Sequence, residues 1–374
     1  LKQITFAAAL MIIGTSILTK QLYTIMKHEA WIATAAGVLI CILLFLVYSS
    51  IAKRFPGFSL IEINDIVFGR VLGKSISIIY IYFFFTIACL NVNVMGNLIK
   101  NYVLQNSPNG LFMAIFVAVC CFAVRKGPVN LMRYGVLLTI LSFIVLMIIT
   151  TLLIPKMDFK RLLPFFVLPA QNYAIGTHSI AMVPLSDPFV LMMYLPHIKN
   201  ADGFGKAITR GLLVGGLFML VIILRDLSVL GPVLADFSLP SLISVRQIDV
   251  GDILTRIDIF YFTIIIMLLF YKVSLLFYAA ADGLRRLLKT EKDTFLIHIL
   301  GVLLIVYALT VFRSAEEHAA WLVNGAAHIQ HTFIVVVLPV ATLVTAALRG
   351  MTKGAARAAA ATDINPAGGG DGVQ

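Results

Sequence analysis

Apart from Ser186 and Asp187, the stretch MVPLSDPFVLMMYLP (residues 182–196) is apolar. If it crosses a bilayer, an unpaired carboxylate near its middle costs at least a few kcal/mol, which makes Asp187 a functional candidate. Lys272 is the basic counterpart, placed inside the apolar run 254–284. At a rise of 1.5 Å per residue, Asp187 lies about 14 Å from the Pro196 end of its run and Lys272 about 18 Å from the Leu284 end. Both runs end on the same side, so the two charges share a depth near the midplane. Pairing is the cheapest way to keep both there. Two roles fit such a pair: a fixed bridge between two helices, or a switch that answers a ligand or a proton.

The elements that would position these charges carry helix breakers. IIGTSILTKQ in the first apolar run sets Gly14 beside Thr15 and Ser16. Glycine costs roughly 1 kcal/mol relative to alanine inside a helix, and the hydroxyls can bond the backbone instead. That combination suits either a discontinuous helix offering free backbone groups to a ligand or simple close packing of two helices. Pro184 and Pro188 interrupt the sixth run in the same way. Breaks in the first and sixth of ten spans are what a five-plus-five inverted repeat would show, with its site between them.

Other polar residues fit packing better than chemistry. Asn93 and Asn97 share one face of the third run and Asn91 points away from it, so interhelical hydrogen bonding is the expected role, with a ligand contact as the alternative. Gly211 and Gly215 form a GxxxG packing step. His328 and His331 in AHIQH lie one turn apart, with Glu316, Glu317 and His318 upstream. Two histidines are too few to specify a metal, so no metal or cofactor is expected. The chain shows no glycine-rich nucleotide loop and no nucleophile motif, and the expectation is a non-enzyme.

Composition sets the class. The chain is 60% hydrophobic and 13% charged with a mean hydropathy of +0.98, which is an integral membrane protein rather than a soluble domain. Ten apolar runs fall near 4–25, 31–52, 75–100, 110–124, 131–154, 166–195, 207–228, 254–284, 294–313 and 329–348. The fourth is short and the eighth long, which predicts tilt or a break there. The net charge of +11 comes from bases clustered in short connections, not from a nucleic-acid-binding face. With the N-terminus inside, 18 of the 29 Lys and Arg residues fall on the cytoplasmic side, 10 outside, and Lys272 within a span, so both termini are expected to be cytoplasmic. Cys41, Cys89, Cys120 and Cys121 read as small core residues. The connection 229–253, with Pro232 and Pro240, is expected to pack over the outer mouth. A start at Leu1 without an initiator Met suggests a clipped N-terminus. Residues 1–348 read as one membrane domain and 349–374 as a disordered Ala/Gly-rich tail.

Four segments together carry a family resemblance: KQITFAAALMIIGTSIL, FPGFSLIEI, SLPSLISVRQIDVGDILTRIDIF and LLFYKVSLLFYAAADGL. They resemble the B-subunit permeases of bacterial spore germinant receptors, within the amino acid–polyamine–organocation superfamily. The resemblance runs over most of residues 1–348, and RQIDVGDILTRIDIF is its most specific part. It implies an all-α membrane fold of ten spans in the inverted-repeat arrangement, located in the spore inner membrane. A and C subunits would be its partners, and a small germinant such as an amino acid its ligand. The ligand would lie near Gly14, Thr15, Ser16, Ile17 and Asp187. Where the family pattern carries a Gly–Glu pair, this chain has Ser186–Asp187, a shorter acid that could alter ligand preference. The alternative from another class is an amino-acid/proton symporter in which Lys272 titrates.

Overall fold

The computed structural model describes residues 1–14, 19–103, 108–199, 201–248, 257–290, 293–312, 317, 320–321 and 325–351, and every regular element among them is helical. Among the described residues, seven helical stretches are long and apolar enough to cross a membrane: Lys20–Arg54, Arg70–Tyr102, Pro128–Lys156, Ala170–His197, Ala201–Asp236, Ile257–Leu288 and Ala327–Leu348. Three shorter apolar helices, Lys2–Ile13, Asn109–Arg125 and Thr294–Thr310, accompany them.

The first apolar run is two helices, α1 (Lys2–Ile13) and α2 (Thr19–Met26). Helix α3 (Ala30–Arg54) follows after a 3-10 turn in which Lys27 has φ +49°. Next comes α4 (Leu60–Phe68), a short helix that hydropathy alone does not reveal. Its start is legible all the same, because Ser59 and Glu62 form a capping box. The long α5 (Arg70–Tyr102), α6 (Asn109–Arg125) and α7 (Pro128–Leu153) complete the first part of the chain.

The sixth run is interrupted. Helix α8 (Ala170–Ile180) gives way to a π-helical turn, Ala181–Leu185, in which Val183 is extended, and then to a 3-10 helix, Asp187–His197. Pro184 and Pro188 account for the interruption, since neither can donate to the helix ladder. The run also starts later than its hydropathy suggests. The N–H groups of Phe166 and Val167 are taken by the Glu29 carboxylate at 2.9 and 3.0 Å, so these residues belong to the connection.

Helix α9 (Phe204–Leu230), the short α10 (Pro240–Arg246), α11 (Ile257–Leu288) and α12 (Asp293–Thr310) follow. Helix α11 runs through all 32 of its residues without the break its length suggested. The last run is α13 (Ala326–His331), a π-helical segment (Thr332–Val337) and α14 (Leu338–Leu348). The wide turn frees a carbonyl, and the Tyr48 hydroxyl donates to it at Val335 from 2.6 Å.

Helix α1 is buried on all sides, with Ala7 to Ile12 fully enclosed, as expected of a helix that is apolar all round. It packs on α9 through glycines: a Cβ at Gly211 would sit 2.5 Å from the Ala8 Cβ and the Thr5 carbonyl, and one at Gly215 would sit 3.0 Å from the Ala9 carbonyl. The GxxxG step is therefore a packing device. Helices α5 and α11 form a second tight pair, while α6, α7 and α12 turn Phe122 (62% exposed), Leu137 (64%) and Val302 (61%) outward, as a lipid-facing layer would. Helix α10 packs on α9, α11 and α2, and Arg246 pairs with Asp258, so the described part of the 229–253 connection is packed onto the bundle.

Candidate ligand-binding site

The two breaks meet at one place. Helix α1 ends at Gly14, whose N–H still donates to the Leu10 carbonyl at 2.9 Å. A Cβ there would lie 3.5 Å from the Leu268 carbonyl and 3.7 Å from Cδ of Lys272. The end of α1 therefore lies in van der Waals contact with the backbone of α11. One turn along α11 from Leu268, Lys272 extends its ammonium to Asp187, with Nζ 2.5 Å from Oδ2. Both side chains are nearly enclosed, at 2% and 6% exposure. Asp187 lies in the first turn of the 3-10 helix, where unpaired N–H groups favour a carboxylate. Three elements, α1, α11 and the broken sixth run, thus converge on one ion pair.

Thr15, Ser16 and Ile17 lie outside the described residues. Asn93 and Asn97 are engaged elsewhere. Asn93 Nδ2 donates to the Ala308 carbonyl of α12 at 2.8 Å, Asn97 Nδ2 to Asn93 Oδ1 at 3.0 Å, and Asn109 Nδ2 on α6 to Asn97 Oδ1 at 3.3 Å. Asn91 turns back to the Ile87 carbonyl. The amides form a ladder joining α5 to α6 and α12, rather than contacts to Asp187 or Lys272.

Two residues on from Asp187 an aromatic wall begins. Phe189 packs against Tyr48, Tyr80 and Phe84 with ring centroids 5.1, 5.3 and 5.9 Å away. Cys41 Sγ donates to the Ala181 carbonyl at 3.3 Å, one of the backbone groups released by the wide turn. Sequence reasoning missed these partners because aromatic and cysteine residues in an apolar run carry no positional signal of their own. His331 is buried at the end of α13, with its ring 4.9 Å from that of Phe83. Its neighbour Thr332 donates to the His328 carbonyl and lies 2.8 Å from Nε2 of His178, so the start of the last run is bound to the first half of the broken run. Among the described residues no group of three or more His, Cys, Asp or Glu side chains could hold a metal.

At the Lys199 end, two cavities of about 480 and 470 Å³ share His197 and Pro128. They form one cleft between the start of α1, the start of α7 and the end of α11. Tyr194 stands above it, buried, with its hydroxyl donating to the Leu275 carbonyl at 2.9 Å. Tyr194 lies seven steps along the 3-10 helix from Asp187, about 14 Å at a rise of about 2 Å per residue. The buried charge pair thus lies at two helix breaks, and a hydrogen-bonded tyrosine of the same 3-10 helix lines the cleft.

The family model described as spore germination protein matches residues 1–316. Spore germination protein KB of Bacillus subtilis (strain 168) is 26% identical over 300 residues, 78% of this chain and 79% of that protein. Spore germination protein YndE of the same organism is 23% identical over 323 residues, 84% and 86% of the two chains. Among solved structures, Mhp1, a nucleobase-cation-symport-1 family transporter in a closed conformation with bromovinylhydantoin bound, superimposes with a TM-score of 0.60 at 13% identity, over 97% of this chain and 87% of that one. A Na+-coupled sialic acid symporter in a substrate-bound outward-open state gives 0.60 at 11% identity, over 89% and 79%. At these identities the likeness establishes a transporter-like fold.

Proposed function

Because the chain belongs to the spore permease family of spore germination proteins, we propose that it is the germinant-sensing membrane subunit of a spore germination receptor. It binds a small molecule such as an amino acid at the midplane and signals to A- and C-type partner subunits. The observation that carries this reading is the Lys272–Asp187 pair, set where the broken sixth run meets the end of α1. A ligand whose ammonium competes for Asp187 favours a state in which Lys272 is released. Differential affinity for the two states is all that signalling requires.

In this reading the seven long helical stretches and the three short ones make ten spans in a five-plus-five inverted repeat, with Lys2–Ile13 as the first half of a broken first span. Both termini are cytoplasmic, the protein resides in the spore inner membrane, residues 1–348 are the membrane domain and 349–374 a disordered tail. The basic bias of the connections supports the orientation. The aromatic walls fit a small, partly apolar ligand, and the buried pair fits a zwitterion.

The rival is an amino-acid/proton symporter, favoured by the likeness to two transporters. One pair of measurements separates them. Spores carrying the Asp187→Asn form should lose germination, read as dipicolinate release, toward the amino acid that triggers the parent. Reconstituted full-length protein should take up no labelled amino acid under a proton gradient. Gradient-driven uptake would establish the symporter, and unchanged germination of the Asp187→Asn spores would remove Asp187 from the sensor.

A further inference from the structure

His331 is placed for a task that neither the family assignment nor the ion pair accounts for. Its Nδ1 lies 2.8 Å from the Ala327 carbonyl. A carbonyl only accepts, so Nδ1 carries the hydrogen, and in the neutral ring Nε2 is left as an acceptor. That Nε2 is buried and meets no donor among the described residues. The residue is 2% exposed, so solvent does not reach it. A buried acceptor without a donor is a standing cost that a bound donor would relieve.

The surroundings point to which donor. Helix α13 packs against the wide turn Ala181–Leu185 that leads into Asp187. His331 lies within electrostatic reach of Asp187 and Lys272, the two charged groups that act on it. Phe83 closes the ring on another side with an edge-to-face contact, at 76° between planes. The π-helical segment starts at the next residue, Thr332, a kind of turn that recurs at functional sites. On the far side, His178 and Thr332 hold α13 to α8. One acceptor and one carboxylate therefore lie on two elements that pack together, inside an apolar and aromatic enclosure.

We infer that His331 supplies the second acceptor of an ammonium-binding site, its Nε2 and the Asp187 carboxylate together receiving the amino group of a small amine or amino acid. This rests on the receptor reading and narrows it: the ligand is recognised through its N–H donors, and the last span is a wall of the site. Hydroxy acids of the same skeleton have fewer donors and no positive charge, and bind worse for that reason.

The test uses the full chain in lipid nanodiscs and a panel of the twenty L-amino acids, each beside its hydroxy-acid analogue, with binding read by calorimetry. For the amino acid that binds, His331→Phe is expected to weaken affinity about tenfold or more, the effect of losing one charge-assisted hydrogen bond. The preference for the amino acid over its hydroxy analogue should shrink by the same factor. His331→Gln, whose amide oxygen accepts, should recover most of both. If the wild type binds no panel member, the receptor reading falls with the inference. If it binds one and His331→Phe keeps affinity and preference unchanged, the inference alone is overturned. Should His331→Phe reduce the amount of folded protein, His331→Gln decides: wild-type preference upholds the acceptor role, and a lost preference in a stable protein overturns it.

Discussion

A single buried charge changes meaning with its partner. Asp187 and Lys272 are each nearly enclosed, so removing one leaves the other uncompensated, typically at about 3–5 kcal/mol. Asp187→Asn and Lys272→Met are each expected to lower membrane abundance, and the double variant to restore it. If the pair is only a bridge, germinant response returns as well; if Asp187 also reads the ligand, abundance returns and response does not. A double-mutant cycle scored separately for abundance and response checks this, and additive abundance losses would contradict the coupling. Gly14 belongs to the same neighbourhood. A Cβ there already touches the Leu268 carbonyl and the stem of Lys272, and a leucine adds three carbons beyond it, so Gly14→Leu is expected to insert normally and lose its germinant response. A normal response at the parental germinant concentration would reduce Gly14 to a packing residue.

Helices in this protein are placed by small residues and stopped by imino acids. The contact of α1 with α9 depends on Gly211 and Gly215, where added side chains would collide with the backbone of α1. Gly211→Leu is expected to cost about 1–3 kcal/mol through overpacking and to lower thermal stability in detergent. A variant as stable as the parent would mean that α1 can shift away without loss. The short α4 offers a milder test. Ser59 caps it, and Glu62, which closes the capping box, also reaches Arg286 at the end of α11 with Oε1 2.7 Å from Nη1. Ser59→Ala should cost about 1 kcal/mol, the usual value of an N-cap. Glu62→Ala should cost more, because it removes the cap's return bond and the tie to α11 together. Equal losses in chemical denaturation would show that the tie to α11 contributes nothing.

At the scale of the whole molecule, orientation has the most consequences, since in the receptor reading it decides which face meets the germinant. In a variant lacking Cys41, Cys89, Cys120 and Cys121, a cysteine at Lys160 or Asp236 should react with an impermeant thiol reagent from outside, and one at Lys289 only after the membrane is opened. All three positions are exposed, so access depends on side rather than on burial. The reverse pattern would invert the topology and make the cleft at His197 an outer mouth.

Membrane class, the apolar runs and the locations of both interruptions are local properties. Twenty apolar residues, a glycine beside two hydroxyls, or two prolines four apart have the same effect on a helix wherever it lies, so these were legible in the chain. Matching Asp187 with Lys272 was also possible, because a bilayer turns residue counting into depth. Which neighbours share that depth is another matter. Ten apolar runs can be arranged around an axis in many ways, and only the tertiary packing brings α13 to the wide turn and the Gly14 end of α1 to Lys272. It likewise gives Asn93 and Asn97 to α6 and α12. The π-helical turn after His331 was invisible for a related reason: nothing in TFIVVV forbids a regular helix, and the extra width is stabilised by Tyr48, 287 residues away in the chain. Local chemistry decided what each span is, and long-range contact decided what each polar residue is for.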